Sequence, residues 1–196
     1  MLATYAYDAF CKMEGIKWNM PTYRQEETTL TIPDEKDLDT LINSAVSSRR
    51  MAAFLQCLKE TFADPEEILR LEWIDLKDNE LSINHPVKGH LPGKYQISAR
   101  LMAMLTSLPR KDKRIFPMTY ATAEDYLKKL RKRAAAKFQN PNLVTISFKS
   151  YRHWGGSMLA QITNGNVLKV KTALRHKSIN NTMKYIYTIA FKEEDF

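Results

Sequence analysis

Cysteine is scarce in this sequence, whose 196 residues include only two, Cys11 and Cys57. So few cysteines exclude a disulfide-stapled secreted protein and indicate a cytoplasmic one, in which each thiol is expected to be a small buried side chain. The four histidines and two cysteines do not stand at the spacings that zinc sites use. We therefore expect neither a metal nor another cofactor.

Long apolar runs are also missing. No segment approaches the roughly 20 residues that a membrane-spanning helix needs, and Asp8 and Lys12 interrupt the apolar start of the chain. The composition is otherwise ordinary, with 44% apolar and 27% charged residues. These values predict a globular domain with a sizeable core and no membrane partner.

Positive charge is in excess, and it is concentrated in the C-terminal half. Thirty lysines and arginines outnumber 22 acidic residues, which gives a net charge of +8. Residues 110–152 hold twelve basic and three acidic residues, and residues 166–185 hold five basic and no acidic ones. Such segments bind polyanions by releasing counterions, so we expect a surface for double-stranded DNA there. The candidate DNA-contacting residues are Lys128, Lys129, Arg131, Lys132, Arg133, Arg175 and Lys177.

The pattern of apolar and capping residues predicts a mainly α-helical (α+β) fold. A helix is expected to begin at Asp34 and to bury apolar residues as far as Val46. Further helices are expected near residues 1–17, 49–61, 64–71, 99–107, 121–138, 150–162, 166–173 and 178–188. Residues 80–84 and 94–98 are predicted to form a small antiparallel sheet, and residues 115–117 are a candidate third strand.

A linker is predicted between two domains. Residues 18–33 have prolines near both ends, few apolar residues and, between residues 28 and 31, three threonines, a composition that disfavours a helix. We therefore expect a domain boundary near residue 30. Residues 1–30 are expected to end one domain, and residues 31–196 to form a second domain with its own core.

Three motifs follow one another in the second domain. Residues 61–75 read TFADPEEILRLEWID, residues 149–153 read KSYRH, and residues 174–178 read LRHKS. Tyr185 lies nine residues after His176. In this order and spacing, over roughly residues 34–188, the chain resembles the tyrosine recombinase (phage integrase) family, and its style is similar to that of archaeal-type integrases.

The resemblance implies a helical bundle with a small antiparallel sheet and a DNA-cleaving chemistry without a cofactor. Tyr185 is the implied nucleophile, which forms a 3′-phosphotyrosine intermediate and so cleaves and rejoins DNA. Arg152 and His176 are implied to stabilise the phosphate in the transition state. Lys149 is implied to be a further catalytic residue, at a position where the family usually carries a histidine. Tyr187 lies two residues after Tyr185 and is the alternative candidate for the nucleophile.

Two further residues have implied roles near the sheet. Lys88, in the loop that joins the two predicted strands, matches the lysine that protonates the leaving 5′ oxygen, and Lys94 on the other side of the loop competes for this role. Glu67 matches the acidic helper of the family's site. His153 and Trp154 are expected to be packing residues that take no part in the site.

One position departs from the family pattern, because Asp64 occupies the place of the first catalytic arginine. A carboxylate there repels the phosphate that a guanidinium would attract. Three explanations stay open: a degenerate recombinase that still binds DNA, a deliberate change that traps a DNA complex, or a substitute cation such as Arg49 or Arg70. Asp64 before Pro65 is also a favourable start for a helix.

Three functions are therefore open as alternatives. The first is a site-specific recombinase or integrase whose activity Asp64 impairs, the second is a catalytically inactive DNA-binding protein with the same fold, and the third is a type IB topoisomerase. The resemblance also implies self-association on DNA, a location at the nucleoid and no small-molecule substrate. It makes residues 1–30 the end of a DNA-clamping domain and residues 31–196 a catalytic domain.

Overall fold

A computed structural model describes residues 2–21 and 31–190 of the chain, which divides into two compact units, residues 1–30 and 31–196. The first unit contains helix α1 (Leu2–Met13), which ends four residues before the predicted limit. Within it, Lys12 pairs with Asp8 one turn earlier at 2.8 Å, and the ring of Tyr7 meets Trp18 edge-on. Residues 22–30 of the predicted linker lie outside the described residues.

The described part of the second unit is mainly helical, as predicted. Its helices are α2 (Glu35–Ser44), α3 (Arg49–Thr61), α4 (Pro65–Leu69), α5 (Ala99–Thr106), α6 (Tyr120–Phe138), α7 (Phe148–Ile162), α8 (Val167–Ala173) and α9 (Asn180–Ala190). Capping residues set several of the starts, because their side chains accept the otherwise unpaired N–H groups of the first turn. Ser48 does so for α3 and Thr119 for α6.

A three-stranded antiparallel sheet lies beside the helices. Its strands are β1 (Leu76–Lys77), β2 (Glu80–Ile83) and β3 (Gly93–Gln96), in the order β1-β2-β3. The two longer strands match the predicted pair, and β1 adds a strand that was not predicted. In the central strand, Leu81 is opposite Leu76 on one side and Tyr95 on the other. Residues 84–92 join β2 to β3 and contact the first turn of α4.

The prediction of a strand at residues 115–117 is wrong. Chain pairing there is limited to one isolated bridge between Glu72 and Arg114, and Met118 donates back to the carbonyl of Phe116. Ile115 and Phe116 are nevertheless buried. The apolar pattern that suggested a strand therefore reflects burial of a loop in the core.

Helix α3 lies at the centre of the core and packs against α2, α5 and α7. Phe54 of α3 is fully buried, and its ring meets those of Phe116 and Phe148 edge-on at centroid distances of 5.5 and 5.4 Å. One predicted core residue is wrong, since α2 ends at Ser44 and Val46 is 85% exposed. In the described ranges, no helix combines the length and apolar character that crossing a membrane would require.

Phe54→Ala is expected to lower the free energy of unfolding by about 3–5 kcal/mol, because it removes a buried ring and leaves a cavity between two other rings. Urea unfolding followed by circular dichroism measures this change. Val46→Ala is the control, and we expect a change below about 0.5 kcal/mol because that side chain is exposed. Equal effects of the two substitutions would contradict the assigned core.

Candidate active site

The site begins at the N-terminus of α4, where Asp64 and Glu67 form a reciprocal cap. The Asp64 carboxylate accepts from the backbone N–H of Glu66 at 3.1 Å, and Glu67 Oε2 accepts from the backbone N–H of Asp64 at 2.9 Å. Pro65 at the first helical position needs no hydrogen-bond acceptor. The arrangement orients the Glu67 carboxylate inward, and the glutamate is only 1% exposed.

Glu67 forms a buried ion pair with Arg175. The Arg175 guanidinium donates to both carboxylate oxygens of Glu67, and also to the Leu91 carbonyl at 2.7 Å and the Tyr95 hydroxyl at 2.8 Å. Arg175 follows α8 in a left-handed conformation, with φ of 57°, and is 3% exposed. Its assignment to the DNA-contacting set is therefore wrong, because its charge faces a buried carboxylate.

The loop between β2 and β3 is tied to the same carboxylate. The backbone N–H of Val87 donates to Glu67 Oε1 at 3.1 Å, and His90 Nδ1 lies 3.0 Å from that oxygen. Burial opposes ionisation of Glu67, but hydrogen bonds from His90 and Arg175 and the Arg175 charge outweigh it and lower the pKa of Glu67 to about 2. Glu67 is therefore an anion that joins α4, this loop and the end of α8.

Arg152, the arginine among the predicted catalytic residues, lies on α7 and is partly buried. It donates to the carbonyl of Phe62 at 2.6 Å and to the carbonyl of Leu174 at 2.7 Å, and its Nη2 lies 3.3 Å from His90 Nε2. Burial lowers the pKa of Arg152. These hydrogen bonds fix the guanidinium between the end of α3 and the end of α8, and they leave further N–H groups for an anion.

Tyr185 of α9 lies against the same face of α7. The residue is 1% exposed, and its ring packs on Gly156, where an added Cβ would come within 2.7 Å of ring carbons. Its hydroxyl lies 3.1 Å from His153 Nδ1. Burial raises the pKa of Tyr185 to about 12, although the charge of Arg152 opposes the shift. The hydroxyl is therefore protonated at neutral pH.

His176 stacks on Tyr185, with the two rings nearly parallel at a centroid distance of 6.3 Å. Its Nδ1 lies 2.9 Å from the Thr182 hydroxyl oxygen. Burial, followed by the charges of Arg152 and neighbouring groups, lowers the pKa of His176 to about 3. The imidazole is thus neutral at physiological pH, and it can offer a hydrogen bond but no full positive charge.

Lys88 pairs with Asp64 at the start of α4. Its Nζ lies 2.8 Å from Asp64 Oδ2, and this hydrogen bond raises the pKa of Lys88. Lys94, the competing lysine, instead pairs with Glu80 across the sheet at 2.7 Å. Lys88 is therefore the loop lysine that reaches the site, and Asp64 holds its ammonium group.

The other predicted cations lie at the margin of the site or away from it. Lys149 is exposed in the first turn of α7. Burial is the main cause that lowers the pKa of His153 and of Lys184, and the charge of Lys149 adds to both shifts. Arg70 is exposed at the far end of α4. Arg49 begins α3, about 20 Å from the end that meets the site. Each of these two arginines therefore lies at the end of its helix that is away from Asp64.

The predicted DNA-contacting lysines and arginines of α6, and Lys177, are mostly exposed. Lys128, Lys129, Lys132 and Arg133 are exposed on α6, as is Lys177 after α8. The exception on α6 is Arg131, which is partly buried and donates to the carbonyl of Ile146 at 2.9 Å. Its role is therefore to fasten α6 to the segment before α7.

Two histidines of the site were missed by the sequence interpretation. His153, expected to be a packing residue, contacts the Tyr185 hydroxyl, whereas Trp154 does pack, against Phe62 and the Lys59 ammonium. His90 was assigned no role. The only local signal was position, since His153 directly follows a predicted catalytic arginine and His90 lies two residues after Lys88. Within the described segments, no cluster of three or more potential metal ligands occurs.

No protein-family model matches this chain, and no curated protein matches it in sequence. Solved structures are similar to it. A XerA recombinase is 17% identical, with a TM-score of 0.64 over 98% of this chain and 75% of that chain. A lambda integrase dimer bound to a COC′ core site is 14% identical, with a TM-score of 0.68 over 96% and 59%. The catalytic domain of bacteriophage HP1 integrase is 22% identical, with a TM-score of 0.59 over 85% and 97%.

These similarities define the class of fold. The described helices and three-stranded sheet form the fold of a tyrosine recombinase catalytic domain. The chain spans 59% of the length of the lambda integrase chain and nearly all of the HP1 integrase catalytic domain. Because each of these identities is below 25%, the comparisons establish the fold alone.

The buried Glu67 is expected to make folding stability depend on acid pH. Its folded-state pKa of about 2 lies below the ordinary value of 4.5, so its stabilising effect is complete above pH 4.5 and is lost as the pH falls toward 2. Glu67→Gln is expected to cost about 3–5 kcal/mol at pH 7, because Arg175 stays buried without its partner, and to flatten this acid dependence. Urea unfolding between pH 7 and pH 3 measures both effects.

The matched control is Glu66→Gln, which makes the same change at the adjacent, partly exposed residue of α4. We expect its unfolding profile to keep the acid slope of the unmodified protein. If Glu67→Gln retained that slope as well, another carboxylate would control the acid transition.

Proposed function

We propose that this chain is the catalytic domain of a site-specific DNA recombinase or integrase that works through a 3′-phosphotyrosine intermediate. The observation that carries the proposal is the convergence of three residues from distant motifs. Arg152 donates to the residue before the Arg175-His176 pair, and the ring of His176 lies against Tyr185. A phosphodiester beside this cluster would meet a guanidinium, a neutral imidazole and a phenolic hydroxyl.

Each group has a role in that chemistry. The Tyr185 oxygen attacks phosphorus, and Arg152 and His176 stabilise the non-bridging oxygens as negative charge develops. Lys88 protonates the leaving 5′ oxygen. Glu67 is a positioning residue, because its contacts hold the Lys88 loop and Arg175 in place. The phosphotyrosine ester conserves the bond energy, so rejoining needs no nucleotide cofactor.

Asp64 impairs this mechanism in two ways. Its carboxylate repels the phosphate, and its contact with Lys88 at 2.8 Å makes the proposed general acid a weaker one by raising its pKa. Loss of one transition-state donor typically costs about a hundred- to a thousandfold in rate. This ion pair favours the second candidate function, a catalytically inactive DNA-binding protein with a recombinase fold.

The proposal extends to partners and context. Double-stranded DNA is the proposed ligand, self-association on DNA is proposed with it, and a location at the nucleoid follows from that ligand. We retain residues 1–30 as the end of a DNA-clamping domain and residues 31–196 as the catalytic domain. The archaeal-type subclass rests on the sequence motifs alone.

Covalent trapping distinguishes the two functions. The protein is incubated with nicked duplexes of random sequence, in which the short leaving strand diffuses away, and adducts are separated on a denaturing gel. We expect slow adduct formation by the unmodified chain and an increase of about 100-fold or more with Asp64→Arg, because that change supplies a phosphate-binding guanidinium and releases Lys88.

Tyr185→Phe is the control in both backgrounds, and it should abolish every adduct. A filter-binding measurement on the same pool reports whether each variant still binds DNA. Binding without any adduct from either background would reject the recombinase in favour of the inactive DNA-binding protein. Adducts that survive Tyr185→Phe would assign the nucleophile elsewhere, with Tyr187 next in line.

DNA binding is expected to depend on salt through the exposed lysines of α6. Replacing Lys129 and Lys132 by glutamine should reduce the slope of log Kobs against log salt concentration by about 2, because each lysine neutralises about one phosphate. The matched control replaces Lys36 and Lys77, exposed lysines of α2 and β1, by glutamine. Equal slopes for the two double variants would contradict a DNA-facing α6.

A further inference from the structure

We propose that His153 is a catalytic residue, the general base that accepts the proton of Tyr185 when its oxygen attacks the phosphodiester. This inference rests on the proposed function and adds a base to a set of residues that otherwise lacks one. The sequence interpretation gave this histidine a packing role only.

Contact geometry is the first argument. His153 Nδ1 lies 3.1 Å from the Tyr185 hydroxyl oxygen, within the distance at which a proton passes directly. The contact joins α7 to α9, and its two ends are fixed independently. His153 directly follows Arg152, which is held by two carbonyls, and the Tyr185 ring is held between Gly156 and His176.

The other candidates for the base are already engaged or have the wrong charge. Lys149, at the position of the family's histidine, is an exposed ammonium group and has no lone pair to offer. His176 uses Nδ1 on Thr182 and presents its ring face to Tyr185. Glu67 is engaged by Arg175 and by the loop between β2 and β3. In the part of the site that the structure describes, the nitrogen in contact with the hydroxyl is that of His153.

Burial and nearby charges keep this imidazole neutral, and its Nδ1 accepts from the Tyr185 hydroxyl in the tautomer that carries the ring proton on Nε2. Burial, then the charges of Lys184 on α9 and of Lys149 and Arg152 on its own helix, lower the pKa of His153 to about 4. The ring is therefore neutral at pH 7. A phosphodiester bound beside Arg152 would bring one negative charge, which partly offsets these positive charges and raises the basicity of the imidazole in the complex that reacts.

The proton balance is complete. As the bond from Tyr185 to phosphorus forms, the phenolic proton passes to His153, the bond from phosphorus to the 5′ oxygen breaks, and that oxygen takes a proton from Lys88. In rejoining, the 5′ hydroxyl returns its proton to Lys88, and Tyr185 regains its own from His153.

The test compares His153→Asn with His85→Asn, which makes the same change at an exposed histidine. Asparagine retains a hydrogen-bond acceptor near the Nδ1 position but takes no proton. Adduct formation is timed between pH 6 and pH 9 in whichever background reacts, the unmodified chain or Asp64→Arg. A second substrate carries sulfur in place of the leaving 5′ oxygen, so that its departure needs no general acid.

We expect His153→Asn to slow adduct formation at pH 7 by about 100-fold on both substrates. Its rate should rise about tenfold per pH unit, because only the ionised fraction of Tyr185 then reacts, while the parent rate stays nearly flat. His85→Asn should match the parent. Lys88→Ala should be slow on the oxygen substrate and restored on the sulfur substrate, which separates the acid from the base.

A His153→Asn variant that reacts within threefold of its parent, or that is slower with an unchanged pH profile, would overturn the inference and leave the proposed function intact. If no background forms an adduct, the proposed function fails and this inference fails with it. Thermal unfolding of His153→Asn shows whether a slow variant is folded, and the pH profile then decides between a base and a packing residue.

Discussion

The buried ion pair between Glu67 and Arg175 is the interaction on which the site depends. It joins the first turn of α4 to the end of α8, and through the same carboxylate it holds the Lys88 loop by the Val87 N–H and His90. Two buried charges are favourable only when paired and fully hydrogen-bonded, and here the backbone and Tyr95 complete both sets. Removal of either partner would leave a buried charge and release three segments at once.

Arg175 is a member of this pair, and Asp64 lies next to it through the reciprocal cap with Glu67. Arg175 adopts a left-handed conformation, which costs a non-glycine residue about 1–2 kcal/mol. The Arg175 guanidinium is directed at internal acceptors. Arg175 is 3% exposed and its charge is matched by Glu67, so it does not offset the negative charge that Asp64 presents to an incoming anion.

Local chemistry explains what the sequence could predict. Helix α3 has its predicted limits because Ser48 caps its start, and α4 begins at the predicted Asp64-Pro65 cap. The predictions of a buried Val46 and of a strand at residues 115–117 were wrong, since apolar spacing does not reveal where a chain turns. The burial of Arg175 and the contact of His153 with Tyr185 depend on pairings over 108 and 32 residues, which no local pattern encodes.

The described site satisfies its own reactive groups. Lys88 forms an ion pair with Asp64, and Arg152 donates hydrogen bonds to two carbonyls. The Tyr185 hydroxyl is buried in contact with His153. In the proposed reaction, a DNA phosphate would therefore compete with these internal partners. Competition is most costly at Lys88, because a carboxylate holds an ammonium group more firmly than a neutral acceptor does. In the proposed reaction, Asp64 would therefore slow catalysis even where DNA binds well, so that affinity and reactivity separate at one residue.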